Sequence, residues 1–231
     1  MALVRLAAVT IMLLTSSLGS NRSLHLDCQQ ALMGDSDLDP AGRPDLLVVE
    51  NCSLVDLNYL LNFLGNKQRG FGGATFYTLW LVGLKSKPGA ASPRCSPLLR
   101  SVDTVKVSNT DFASSSEPGL GALAGLVKCA APRSLELSGN QLGRLTRLPA
   151  DTVLSLNASR SGISEVAESG LWDLKAVEEV DLSGNRLVEL GKGMFKMNRR
   201  LKRLHLQNNI ISFITRHSFI GELIKKIERN I

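Results

Sequence analysis

Two segments of this chain superpose without a gap at a spacing of 24 residues. One reads Val177-x-x-Val180-x-Leu182-x-x-Asn185-x-Leu187-x-x-Leu190, and the other Leu201-x-x-Leu204-x-Leu206-x-x-Asn209-x-Ile211-x-x-Ile214. A unit this short cannot bury its own apolar face and must stack on copies of itself. That constraint points to an elongated array whose function comes from an exposed surface rather than from a closed pocket.

The same register phases the chain upstream. Val153-x-x-Leu156-x-Ala158-x-x-Ser161-x-Ile163-x-x-Val166 places Ser161 where the later units have Asn. Before it, Leu135-x-Leu137-x-x-Asn140-x-Leu142-x-x-Leu145 follows Pro132. Val102-x-x-Val105-x-Val107-x-x-Thr110-x-Phe112 has Thr in the polar place, and Leu47-x-Val49-x-x-Cys52-x-Leu54-x-x-Leu57 has Cys. Phe76-x-x-Leu79-x-Leu81 fits the apolar spacing without the polar residue. The array is therefore expected to be regular from Pro132 and degenerate before it.

Each part of the pattern has a physical task. Leu-x-Leu alternates with period two and predicts a short strand with its leucines turned inward. Successive strands then form a parallel ladder. Where the chain leaves the strand, backbone groups are stranded in a buried place. An Asn side chain can both donate to and accept from such groups, so Asn140, Asn185 and Asn209 are expected to form a ladder. The outer half of each unit repeats as well: Leu171-x-x-Leu174-x-x-Val177 matches Phe195-x-x-Asn198-x-x-Leu201, and Phe219 repeats the place of Phe195.

These residues resemble the typical 24-residue class of extracellular leucine-rich repeat proteins, which includes Toll-like, Slit-like and chaoptin-like ectodomains and small leucine-rich proteoglycans. The resemblance is specific over residues 132–219 and looser over residues 44–112. It implies an α/β leucine-rich repeat solenoid: a curved parallel sheet on the concave face and an irregular or short helical convex side. It also implies recognition of proteins or other macromolecules, with no cofactor.

The amino terminus bears on compartment. Arg5 precedes an apolar run over residues 6–14, and small residues Ser17 and Gly19 fit a cleavage point after Gly19. The run is too short for a membrane span, which needs about 20 apolar residues. Asn21, Asn51 and Asn157 stand in Asn-x-Ser/Thr sequons and become candidate glycan sites behind such a leader. In the repeat register Asn157 lies between two core positions and points out from the concave face, and Asn51 falls next to Cys52. Cys28, Cys52, Cys95 and Cys129 make an even set that predicts two disulfides, with three pairings open. Cys28–Cys52 would cap the first repeat, and Cys95–Cys129 would close the Pro/Ser-rich stretch against the regular array. No paired C-x-x-C or H-x-x-x-H spacing supports a metal site.

The net charge of +6 favours anionic partners such as sulfated glycans, but the charge is local. Arg203, His205 and Gln207 point outward from the last clear strand, and Glu179 and Asp181 occupy the equivalent places one unit earlier. This pair of strands is a candidate partner-binding surface, with a mixed soluble face as the plainer reading. Trp80 reads either as a second anchor on the inner face or, at least equally, as a residue buried in a cap, while Trp172 reads as packing. No specific nucleic-acid reader is expected without interleaved aromatics. The three histidines (His25, His205 and His217) accompany no catalytic motif, so the chain is not expected to be an enzyme.

The organisation expected is a signal peptide over residues 1–19, a cap and first degenerate repeat over 20–57, irregular repeats over 58–131, regular repeats over 132–219 and a basic tail or helix over 220–231. Two functions fit: a secreted or cell-surface module that binds a protein ligand or co-receptor, homodimerisation included, and the amino-terminal part of a transmembrane receptor of Toll-like type.

Overall fold

A computed structural model describes residues 11–12, 23–28, 45–53, 56–57, 59–62, 76–84, 95–112 and 121–215. Asn21, His217, Phe219, the cleavage point after Gly19 and the tail over 220–231 lie outside the described residues.

The Leu-x-Leu pairs form strands, as period-two alternation requires. In chain order, a two-residue β1 (Ile11–Met12) is followed by the longer strands β2 (Ser23–Asp27), β3 (Leu46–Glu50), β4 (Thr78–Val82) and β5 (Thr104–Ser108). Helix α1 (Gly121–Ala130) precedes a series of short strands: β6 (Ser134–Glu136), β7 (Arg144–Leu145), β8 (Ser155–Asn157), β9 (Glu165–Val166), β10 (Glu179–Asp181), β11 (Glu189–Leu190), β12 (Arg203–His205) and β13 (Phe213–Ile214). One nine-stranded sheet runs β1-β2-β3-β4-β5-β6-β8-β10-β12 among the described residues. Every pairing in it is parallel except β1 on β2. A second tier on one flank pairs β7 with β9 and β11 with β13. The structure is an α/β leucine-rich repeat solenoid.

Register is uniform through the ladder. Val180 lies beside Leu156 on one side and Leu204 on the other. Upstream, Leu79 pairs with Leu47 and Val105, so the Phe76 segment that lacks a polar ladder residue is a full member of the sheet. A coil earlier than any in the repeat register also exists: β2 pairs residue for residue with β3, and Leu26 is fully buried.

Inward positions stack into one core. Leu26, Leu47, Leu79, Val105, Leu135, Leu156 and Val180 are each at most 2 % exposed. Each such side chain contributes about 2 kcal/mol by leaving water, which is enough to drive stacking but does not fix where each coil bends.

The bend is fixed by the asparagines. Asn185 donates through Nδ2 to the carbonyls of Ala158 (2.9 Å) and Leu182 (2.8 Å), and its Oδ1 accepts from the amides of Ser161 (2.9 Å) and Ile163 (3.0 Å). Asn140 binds the carbonyls of Val107 and Leu137 and accepts from the Thr110 amide. Asn209 binds the carbonyls of Leu182 and Leu206 and accepts from the Leu187 amide. Each side chain thus ties its own coil to the one before it. Ser161 has the same place with a shorter reach, and its hydroxyl donates to the Leu137 and Ser159 carbonyls. Thr110 accepts from the Leu84 amide and donates to the Ser108 carbonyl.

The residue just before the ladder position is left-handed in seven successive coils: Asn51, Gly83, Asn109, Gly139, Arg160, Gly184 and Asn208, with φ between 51° and 72°. Gly and Asn enter this region at little cost, whereas a longer L side chain is strained there by about 1–2 kcal/mol. Arg160 (φ 51°) is the exception to the Gly/Asn rule.

The other side of the coils is irregular. It holds α1, a 3-10 turn at Pro97–Ser101 and open turns. Cys95 is bonded to Cys129 of α1, and Cys28 to Cys52 at the ladder position of the β3 coil. Phe195 and Met194 are buried there, and Asn198 donates to the carbonyls of Leu171 (2.7 Å) and Leu174 (2.9 Å).

Two substitutions test this account. Asn185→Ala leaves two buried carbonyls and two buried amides without this partner and is expected to cost about 3 kcal/mol, read as a lowered thermal midpoint. Arg160→Gly is expected to raise the midpoint, with a gain of up to about 1 kcal/mol from relief of the left-handed strain at an exposed residue.

Candidate functional site

The sheet face turned away from the core is built by the outward residue of each strand, held on a rigid ladder. Its middle row begins with His25 and Val48 on β2 and β3 and continues through Trp80 and Lys106 on β4 and β5. Glu136, Asn157, Asp181 and His205 extend it across β6, β8, β10 and β12. The row is therefore apolar and aromatic at one end and charged at the other.

Trp80 is half-buried, and its Nε1 donates to Ser108 Oγ at 2.7 Å. The ammonium of Lys106 lies 4.2 Å from the centre of the Trp80 ring, a cation–π contact that fixes both side chains. Val48 is buried yet stands on this outward row. Together they give an aromatic platform at this end of the row, with the Lys106 ammonium lying over the indole ring.

At the other end the two candidate strands are tied together by charge. Arg203 Nη2 donates to Glu179 Oε2 at 2.6 Å, and His205 Nε2 lies 3.3 Å from the other oxygen of the same carboxylate. Lys202 donates to Glu178 at 2.7 Å. The hydrogen bond from Arg203 holds the Glu179 carboxyl below its ordinary value, against an opposing push from partial burial. The hydrogen bond from Lys202 does the same to Glu178. Asp181 turns its carboxylate onto the Ser183 amide at 2.8 Å, and Gln207 is exposed just beyond β12. Arg203, His205 and Glu179 thus form one cluster, with Asp181 and Gln207 beside it rather than in it.

Asn157 is half-buried at the centre of the row, and its Oδ1 accepts from the Ser159 amide at 3.0 Å. Asn51 is exposed in the left-handed turn after β3 and donates through Nδ2 to Asp27 Oδ2 at 2.7 Å. Trp172 is half-buried on the irregular side and donates to the Gly193 carbonyl. Among the described residues no three His, Cys, Asp or Glu side chains gather as metal ligands, and no helix is long and apolar enough to cross a membrane.

Sequence reasoning missed the Lys106–Trp80 contact and the inter-coil role of Asn198. Lys106 lies 26 residues from Trp80, a separation that the degenerate repeats hide. Asn198 could have been found, because the preceding unit has Leu174 at its place.

The Glu179 cluster yields a pH prediction. A carboxylate held low in the fold adds stability above its ordinary value of 4.5, and that contribution disappears as pH falls beneath it. Glu179→Gln should therefore lower the thermal midpoint slightly at neutral pH and leave it unchanged well below 4.5.

Residues 175–223 match the family model described as leucine rich repeat. Chaoptin of Tribolium castaneum is 36% identical over 76 residues, which is 32% of this chain and 10% of that protein. Podocan-like protein 1 of Mus musculus is 38% identical over 87 residues, 36% of this chain and 15% of that protein. The aligned stretches thus cover only a small part of the curated relatives. Among solved structures, the glycosylated Toll–Spatzle complex of Drosophila aligns over 94% of this chain and 37% of that one, at 15% identity and a TM-score of 0.46. A TLR13–ssRNA13 complex aligns over 78% and 27%, at 17% identity and a TM-score of 0.47.

Proposed function

Taking the chain as a leucine-rich repeat solenoid that resembles chaoptin, we propose that it is a secreted or cell-surface recognition module that binds another protein through the outward face of its sheet. The observation that carries this reading is the aromatic platform of Trp80 and Lys106, held on rigid neighbouring strands beside a long polar row. Large aromatic side chains with cationic neighbours are the usual anchors of protein interfaces. The reaction class is binding and not catalysis. Secretion is supported by the two disulfides, which persist in oxidising compartments, and by the signal-like residues 1–19. Ile11 and Met12 of that segment pair with β2, so removal of the leader would leave the β2 edge open to a cap or partner.

Asn157 is proposed to carry a glycan that covers the centre of the outward row. The partner would then approach the Trp80 end, or the strands after β8. A sulfated glycan is a secondary ligand for the basic residues Lys202 and Arg203.

A second reading, the amino-terminal part of a longer receptor ectodomain, is supported by the relatives, of which the aligned stretches span only 10% and 15%.

The test is a panel of purified extracellular proteins, with heparin as the glycan arm, screened by biolayer interferometry against protein made in secretory cells. A binder weakened about tenfold or more by Trp80→Ala supports the platform; binders indifferent to Trp80→Ala and Lys106→Glu would contradict it. Loss of a glycan mass in Asn157→Gln checks the modification, and an unoccupied Asn157 in the parent protein would remove the shielding.

A further inference from the structure

Resting on that recognition reading, a second surface lies on the flank that carries β11 and β13. Exposure of apolar groups is concentrated there: Val188 is 49% exposed, Ile210 65% and Phe213 59%. Their place near the end of the described residues does not explain these three. Ile210 stands one residue after the ladder Asn209, a place held by Gln141, Gly162 and Arg186 in the preceding coils. Phe213 pairs with Glu189, and the equivalent residues before it are Glu165 and Arg144. Gln141, Arg144, Glu165, Arg186 and Glu189 are all exposed at these places, whereas Ile214 stands at a core position. Val188, moreover, belongs to the coil before the last described one.

The charges around this patch are self-complementary. On the earlier coils the flank is closed by an ion pair, Arg144 Nη2 to Glu165 Oε1 at 2.8 Å. On the β11 coil, Arg186 and Glu189 are both exposed, and among the described residues neither makes an ion pair. They lie on either side of Val188. Ile210 sits next to Arg186, with its amide bonded to the Leu187 carbonyl, and Phe213 sits next to Glu189. A two-fold axis passing close to Val188 and Ser212 therefore brings Arg186 of one copy onto Glu189 of another, and Ile210 of one onto Phe213 of the other. This is the self-matching arrangement that an isologous contact requires, since residue i meets j while j meets i.

We propose that this flank is the contact surface of a homodimer, with Val188 near the axis, Ile210 and Phe213 as reciprocal apolar anchors and Arg186 and Glu189 as the reciprocal ion pair. The apolar centre is small beside the roughly 800 Å² per partner of a standard interface, so the dimer is weak and concentration-dependent. Because the surface lies on the flank, dimerisation leaves the Trp80 platform of each copy accessible.

Sedimentation velocity with multi-angle light scattering on the full chain, over a micromolar to near-millimolar series, tests it. A monomer–dimer equilibrium is expected, with its dissociation constant raised about tenfold or more by Phe213→Asp. Glu189→Arg sets two cations against each other and should weaken the dimer, as should Arg186→Glu; the double swap R186E/E189R should restore it to near the parental value. Species that keep growing beyond the dimer, a monomer at every concentration, or a dimer insensitive to Phe213→Asp would each overturn the proposal. So would a double swap that stays as weak as the single variants. Phe213→Asp is also expected to leave Trp80-dependent binding unchanged, so failure here is distinct from failure of the recognition reading.

Discussion

The structure depends on what happens to the backbone at the moment each coil leaves its strand. Three or five residues of sheet end abruptly, and the next carbonyls and amides are buried where water cannot reach them. A carboxamide is suited to this place because it both donates and accepts. Asn140, Asn185 and Asn209 each bond their own coil and the coil before, so the same side chain that satisfies the bend also sets the register of the stack. Apolar burial drives coils together without specifying their offset; the amide bonds specify it.

That arrangement separates support from recognition. Inward positions are committed to the core, and the polar ladder residues to the backbone. Outward positions on the sheet and on the flank are left to vary without endangering the fold. They vary along the array, from Val48, Trp80 and Lys106 at one end to Glu179, Arg203 and His205 at the other. The ion pairs across β10 and β12 are exposed and contribute little to stability, but they hold the side chains of that surface in one arrangement. A surface of this kind suits recognition of a large, rather flat partner better than capture of a small molecule.

From Val177 onward the sequence was easy to read, because the apolar spacing and the asparagines agree. The charge pairs there were legible too, since Lys202 and Arg203 stand 24 residues from Glu178 and Glu179. Upstream, the backbone keeps the same course while the residues that serve it change. The polar task passes to Ser161 and Thr110, while Cys52 at the same place is bonded to Cys28 and Leu84 has an apolar side chain there, its amide served by Thr110. The left-handed residue before the ladder was hidden for the same reason: φ is shared by Gly139, Arg160, Asn208 and Asn51, but residue type is not. Strand β2 was missed because it lies beside a leader-like segment and is followed at once by Cys28. The Trp80–Lys106 contact joins two degenerate coils and needed their register first.

Native-state amide hydrogen exchange probes the ladder most directly. The amides of Thr110, Ser161, Ile163 and Leu187 lie in bends outside the main sheet, and their acceptors are asparagine side chains. Exchange as slow as that of the strand amides of β8 and β10 is the predicted result. Exchange at the rate of the exposed turns would mean that the asparagines do not hold the coils together.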